Sequence, residues 1–258
     1  MLGAEDRNLR PSALLWTWRP LGYPARTSMV PKRLTTRAGL ALLATAAIAI
    51  AGATAVASVT VYENKFARKA DVRELRKAEG KHCKKGWRRR SESLRIAVER
   101  GPELCGYRPP IEGDTNGPDH DFRAREKVLR STPKAVRRGA FLAIAVRFGK
   151  GSGYQLRVFP SRHKFTLERS PSGGGAGFPA QGRSSSIKGL RKPNILRLIV
   201  VDNKVTARVN GAKVANVTDS NPAQVRGRGL EVAIGHRRTS RKEVIGDVDN
   251  LELRVPNP

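Results

Sequence analysis

Beyond residue 90, apolar and polar side chains mostly alternate with a period of two, the mark of strands with one face buried. Leu94, Ile96 and Val98 alternate with Arg95 and Ala97, and Arg100-Gly101-Pro102 closes the run. Cys105 to Arg108 reads as another strand, ending at Pro109-Pro110; pairing these segments brings Cys83 and Cys105 together. Phe122, Ala124, Glu126 and Val128 alternate with Arg and Lys, as an edge strand would. Ala140 to Phe148 differs. Leu142, Ile144, Val146 and Phe148 point one way and Phe141, Ala143 and Ala145 the other, so this strand is central. Gly149 to Gly153 turns the chain into a strand with Tyr154, Leu156 and Val158, and Pro160 to His163 turns it again before Phe165 and Leu167. Ser170 to Ser186 reads as a mobile surface loop. A second meander runs Leu196–Val201, Val205–Val209 and Lys213–Val217, turning at Asp202-Asn203 and at Asn210-Gly211, the strongest short hairpin signal. Leu230, Val232 and Ile234, then Leu251, Leu253 and Val255, complete ten to twelve short strands. No βα alternation occurs. The prediction is an all-β antiparallel sandwich over residues 91–258.

The chain before it follows other patterns. Residues 1–37 carry no period and read as a disordered or cytoplasmic segment, with Met29 an alternative start. Ala38 to Tyr62 is uncharged and long enough to cross a bilayer as one helix. From Met29 the chain shows a basic region followed by an apolar run, as a signal sequence does. Ala55-Val56-Ala57 has the small-x-small form that signal peptidase accepts, but the apolar run continues past it, so a retained anchor is preferred to secretion by cleavage after Ala57. The flanking charges hardly discriminate orientation. Residues 63–90 begin with good helix formers up to Gly80 and read as a short helical stalk.

Composition adds charge. The chain has 50 Lys+Arg against 22 Asp+Glu, a net +28 over 258 residues. That favours anionic partners, but the cations are spread along the chain, which weakens a nucleic-acid role. The two cysteines, Cys83 and Cys105, read as a disulfide, against two free thiols; a zinc site with His82 lacks the usual spacing. The disulfide and the signal-like start place the large domain outside the cell.

Four stretches carry a resemblance: Gly153 to Val158, Asn194 to Leu198, Val205 to Gly211 and Asp249 to Leu253. Together they resemble the concanavalin A-like lectin/glucanase jelly rolls, in the branch with laminin-G-like and 3-keto-glycoside hydrolase-like domains. The whole chain also resembles membrane-anchored proteins of high-GC Gram-positive bacteria. The resemblance implies a jelly roll that binds carbohydrate or an anionic envelope polymer, with a glycoside or 3-keto-glycoside hydrolase as the alternative. Glucanases of this superfamily carry E-x-D-x-x-E, and no such triplet stands here, so the reading leans away from an enzyme. Calcium is found in the superfamily, but Asp202, Asp247 and Asp249 lack a supporting spacing, so no cofactor or metal is expected. Glycan-binding candidates are Tyr154, Arg157 and Phe159 on one strand, Arg197 and Arg208 on others, and the Phe178 loop; against this, Tyr154 packs in a core and the arginines form a solvated face. A hydrolase instead needs two of Glu168, Glu231, Asp249 and Glu252 facing one cleft.

Overall fold

A computed structural model of the chain describes residues 58–111, 119–149, 152–172, 177–225 and 229–256. Alternating residues become strands throughout. The first are β1 (Ser58–Asn64), then helix α1 (Lys69–Glu74), β2 (Arg76–Glu79), β3 (Cys83–Arg88), β4 (Ser93–Val98) and β5 (Gly101–Arg108). β6 (His120–Val128) and helix α2 (Lys134–Arg137) precede the meander β7 (Ala140–Gly149), β8 (Ser152–Phe159) and β9 (Lys164–Ser170). β10 (Gly177–Arg183), β11 (Asn194–Val201), β12 (Lys204–Val209), β13 (Ala212–Thr218), β14 (Gly229–Ser240) and β15 (Val244–Pro256) follow.

These strands form two antiparallel sheets. The first runs β13-β12-β11-β6-β15-β4-β3, and the second β10-β9-β8-β7-β14-β5-β2. β15 pairs with β4 through Val244–Val248 and with β1 through Leu251–Pro256, so β1 and β4 lie end to end along it. Phe122, Leu198 and Leu253 from the first sheet meet Leu142, Ile144 and Leu156 from the second, all fully buried. Each such side chain contributes about 1.5–3 kcal/mol of burial. Cys83 on β3 is bonded to Cys105 on β5, with Cα atoms 5.5 Å apart, and joins the two sheets.

The two meanders and their turns lie where the alternation put them. Asn210, with φ of 51°, and Gly211, with 86°, make the tight turn between β12 and β13. β7 is the middle strand of its sheet, as its two apolar faces required.

Three expectations are corrected. Residues 63–90 are not a helical stalk: only the six residues of α1 are α-helical, a short 3-10 turn begins at Arg89, and β1, β2 and β3 belong to the sheets. Phe66, Val72 and Leu75 are buried in the sandwich, and that packing overrides the local helix preference. β6 is not an edge strand; it lies between β11 and β15. Its inward side carries Phe122, Ala124 and Val128 together with Glu126, a buried carboxyl held well above the usual carboxylate range by burial, against the backbone N–H of Ala143. Finally, the Ser/Gly-rich loop contains β10, which pairs with β9 from Ala180↔Leu167 to Arg183↔Lys164.

The expected span of residues 38–62 lies outside the described residues except for its last five, which are strand. Among the described residues no helix is long and apolar enough to cross a membrane.

Candidate functional site

The outer face of the second sheet is built by register. Glu79 on β2 stands opposite Gly106, Gly106 opposite Ala233, Ala233 opposite Ala143, Ala143 opposite Arg157, and Arg157 opposite Thr166. Gln181 on β10 ends this row. A parallel row runs Glu231, Ala145, Gln155 and Glu168. On the other side lie Leu104, Gly235 and Phe141.

Small residues make the middle of this face a floor, and longer side chains lie across it. A Cβ on Gly106 would overlap the Glu231 carboxyl, and one on Gly235 would overlap the Phe141 ring. Phe141 packs on Phe159 with ring centroids 5.4 Å apart. Guanidinium groups cover both rings: Arg157 lies 5.5 Å from the Phe141 centroid and Arg237 lies 4.7 Å from that of Phe159. Arg157 also bonds Glu168 at 2.9 Å. A cleft of about 320 Å³ opens beside them, lined by Phe159, Arg162, Lys164, Thr166, Gln181 and Arg237.

Under this face sits an acid pair. Glu231 is 0% exposed. Burial raises its pKa well above the usual range, and the charge and hydrogen bond of Glu79 raise it further, against Arg108 and Arg157. Burial also raises Glu79, while the hydrogen bond from Glu231 opposes the rise. Two carboxyls whose charges act on each other do not both ionise readily, so Glu231, the more deeply buried of the two, keeps its proton beside Glu79.

The outer face of the first sheet is charge-matched instead. Arg95 meets Asp247 at 2.8 Å, and Arg125 meets Asp249 at 2.9 Å. Arg123 and Arg254 both meet Glu252.

The sequence candidates therefore separate. Arg157 and Phe159 share the outer face of the second sheet, beside the cleft. Tyr154 is three positions from Arg157, so it points inward; it is buried and donates its hydroxyl to Asp219. Arg197 and Arg208 stand opposite each other on the first sheet. Arg197 donates to Asp121 at 2.7 Å, and Arg208 to the Gly211 carbonyl at 2.9 Å. Phe178, on β10, is exposed. Of the four carboxylates named for a hydrolase, Glu168 and Glu231 lie on the second sheet, and Asp249 and Glu252 on the first. Among the described residues no group of three or more His, Cys, Asp or Glu could hold a metal ion.

Glu79, Arg108, Phe141 and Arg237 escape the sequence reading as a site, and Glu231 enters it only as one of the hydrolase carboxylates. One signal for Glu231 was present: in Leu230 to Gly235 it is the only charged residue, and it alternates with Ala233 and Gly235 on the side away from Val232 and Ile234.

No family model and no curated protein matches the sequence. Solved structures do match in shape. A protein with a galectin-like fold from Bacillus subtilis matches with a TM-score of 0.52 at 11% identity, over 77% of this chain and 98% of that one. The κ-carrageenase of Pseudoalteromonas carrageenovora, in complex with an oligotetrasaccharide of κ-carrageenan, matches with 0.53 at 12%, over 82% and 99%. A laminarinase from Flavobacterium sp. UMI-01 matches with 0.53 at 11%, over 77% and 100%. At such identity the likeness is one of fold: the chain is a two-sheet antiparallel jelly roll, the fold that the stretches Gly153 to Val158 and Val205 to Gly211 led us to expect.

Proposed function

We propose that this domain is an extracytoplasmic carbohydrate-binding module whose sugar site is the cleft on the outer face of the second sheet. The observation that carries this reading is the cleft itself. It sets Arg162, Lys164, Thr166, Gln181 and Arg237 around Phe159, beside an Arg157–Glu168 pair held on rigid strands. Sugars are recognised by a small number of precisely placed polar groups that bond hydroxyls in fixed geometry, and here Arg237, stacked on the buried Phe159 ring, is one such planar group. The sugar-processing proteins of the same fold add support.

Binding is favoured over hydrolysis by the state of the carboxyls. A glycosidase pair stands about 5–9.5 Å apart across the scissile bond. Glu231 instead is fully buried with its pKa raised well above the usual range, and Glu168 is paired with Arg157.

An exported position is supported by the disulfide, which persists in oxidising compartments, and by the signal-like run ahead of the domain. Residues 58–64 pair with β15, so the last five residues of the apolar run belong to the domain and not to a span, and the small-x-small form of Ala55-Val56-Ala57 then lies directly ahead of the domain, which favours cleavage there over a retained anchor.

The test is calorimetric titration of residues 58–258, which contain both sheets and the disulfide, with neutral oligosaccharides of several linkages. Saturable binding that weakens about tenfold in Arg237→Ala, a loss of roughly 1.4 kcal/mol, supports the reading. A folded domain that ignores every oligosaccharide overturns it.

A further inference from the structure

A second cleft, of about 740 Å³, adjoins the first and shares Arg162 and Lys164 with it. Its charged lining is Lys134, Arg137, Arg138, Arg162, Lys164 and Arg183, with no carboxylate. Three segments bring these cations together, and each is fixed. Arg137 donates from Nε to the Thr132 carbonyl at 2.7 Å and from Nη2 to the Arg130 carbonyl at 2.9 Å. The turn at Pro160–Arg162 is tied down at His163, whose Nδ1 lies 2.6 Å from the Ile187 carbonyl oxygen and whose own carbonyl accepts from Ser184 N–H at 3.0 Å. Lys164 and Arg183 stand directly opposite each other on β9 and β10. Like charges in that position cost stability.

None of these six cations takes part in an ion pair among the described residues. The contrast with the first sheet is sharp. There, Arg95, Arg123, Arg125, Arg197 and Arg254 each meet a carboxylate. The net charge of the chain is thus not evenly neutralised, and unpaired cations gather at one concavity that opens into the proposed sugar cleft.

We infer that this second cleft binds an acidic polysaccharide, a sugar chain whose carboxylates are taken by Arg138, Arg162, Lys164 and Arg183 while its neighbouring residues run into the first cleft. This rests on the carbohydrate reading above and names the ligand class. Guanidinium groups match carboxylates with two parallel hydrogen bonds. A single-stranded nucleic acid fits less well, because it is held by bases stacked on aromatic side chains, and the lining holds no Phe, Tyr or Trp.

The experiment compares polygalacturonate with its fully methyl-esterified form, which keeps the sugar chain and removes the charge. Residues 58–258 are titrated at about 0.15 M salt, where the Debye length is about 8 Å. The acid form is expected to bind at least about tenfold tighter, an advantage of roughly 1.4 kcal/mol. The combined variant Lys134→Ala, Arg138→Ala, Arg183→Ala, altered only in the second cleft, is expected to lose that advantage and keep its binding of neutral oligosaccharide. The combined variant Arg88→Ala, Arg89→Ala, Arg90→Ala removes the same charge from an exposed stretch of the first sheet's edge and is expected to change little. Equal losses in the two variants overturn the inference in favour of bulk charge. Equal binding of acid and ester also overturns it but leaves the sugar site standing. If no glycan binds, charged or neutral, both readings fail together. Tighter binding of a single-stranded RNA, lost in the first variant, reassigns the cleft to nucleic acid.

Discussion

The carboxyl of Glu231 lies over Gly106, in the space a Cβ would take, and burial beside Glu79 holds its pKa well above the usual range. A glycine on one strand thus lets an acid on the next lie flat beneath the proposed sugar face. Gly106→Ala is expected to force the carboxyl aside and cost about 1–3 kcal/mol, as overpacking does. Gly86→Ala, where a Cβ meets nothing within 4 Å, is the control and is expected to cost far less. Urea denaturation of both variants checks this, and equal costs would refute it.

Glu231 and Glu126 keep protons in the folded state that the unfolded chain releases above its ordinary value of 4.5. The folded state then binds more protons, so stability falls as pH rises from that value toward the folded pKa. Glu231→Gln is expected to flatten the fall in Tm between pH 5 and 8, by about 2–4 °C for each kcal/mol recovered. A curve parallel to that of the unmodified protein would show that the acid pair titrates normally.

Asp219 sets the opposite limit. Burial works to raise its pKa, but bonds from Arg169 and Tyr154 outweigh that and hold it below the ordinary value. Its contribution is complete above the unfolded pKa and is lost as pH falls through the folded one. Stability is therefore expected to peak in the mildly acidic range, and Asp219→Asn to remove part of the acid-side decline. The check is a thermal melt series from pH 3 to 8.

The disulfide closes a loop across the two sheets with a sequence separation of 22. Constraining the unfolded chain by such a loop contributes about 3 kcal/mol. Replacing both Cys83 and Cys105 with Ala is expected to lower the urea midpoint accordingly. An unchanged midpoint would mean that the sheets hold their register without the bond.

Export makes a prediction at Ser58. N-terminal sequencing of the protein recovered from a secreting host is expected to begin at Ser58. A mature chain that retains residues 38–57 and partitions with membranes would restore the anchor.

Much of the sandwich is legible in the sequence because its signals are local. β7, β8 and β9 follow one another through short turns, and Asn210-Gly211 names its own hairpin. β1 and β2 are not legible, because their partners are distant: Ser58 pairs with Pro256 and Arg76 with Arg108; β3 pairs with the next strand, but Lys84, Lys85 and Arg88 leave it without an apolar alternation. The sequence of residues 63–80 favours helix, and only tertiary pairing makes strands at its ends. The candidate site divides in the same way. Arg157 and Phe159 share a face by parity along one strand, and the same parity sends Tyr154 inward. Arg197 and Arg208 are true neighbours, but nothing local says that their strands belong to the other sheet. Glu79, Arg108 and Glu231 meet only when β2, β5 and β14 come side by side.

The most direct test of a sugar site on the second sheet is a backbone amide NMR titration of residues 58–258 with a bound oligosaccharide. Shift changes are expected to cluster at Arg157, Thr166, Gln181 and Arg237. Changes confined to Arg123, Arg197 and Arg208 on the first sheet would contradict the account.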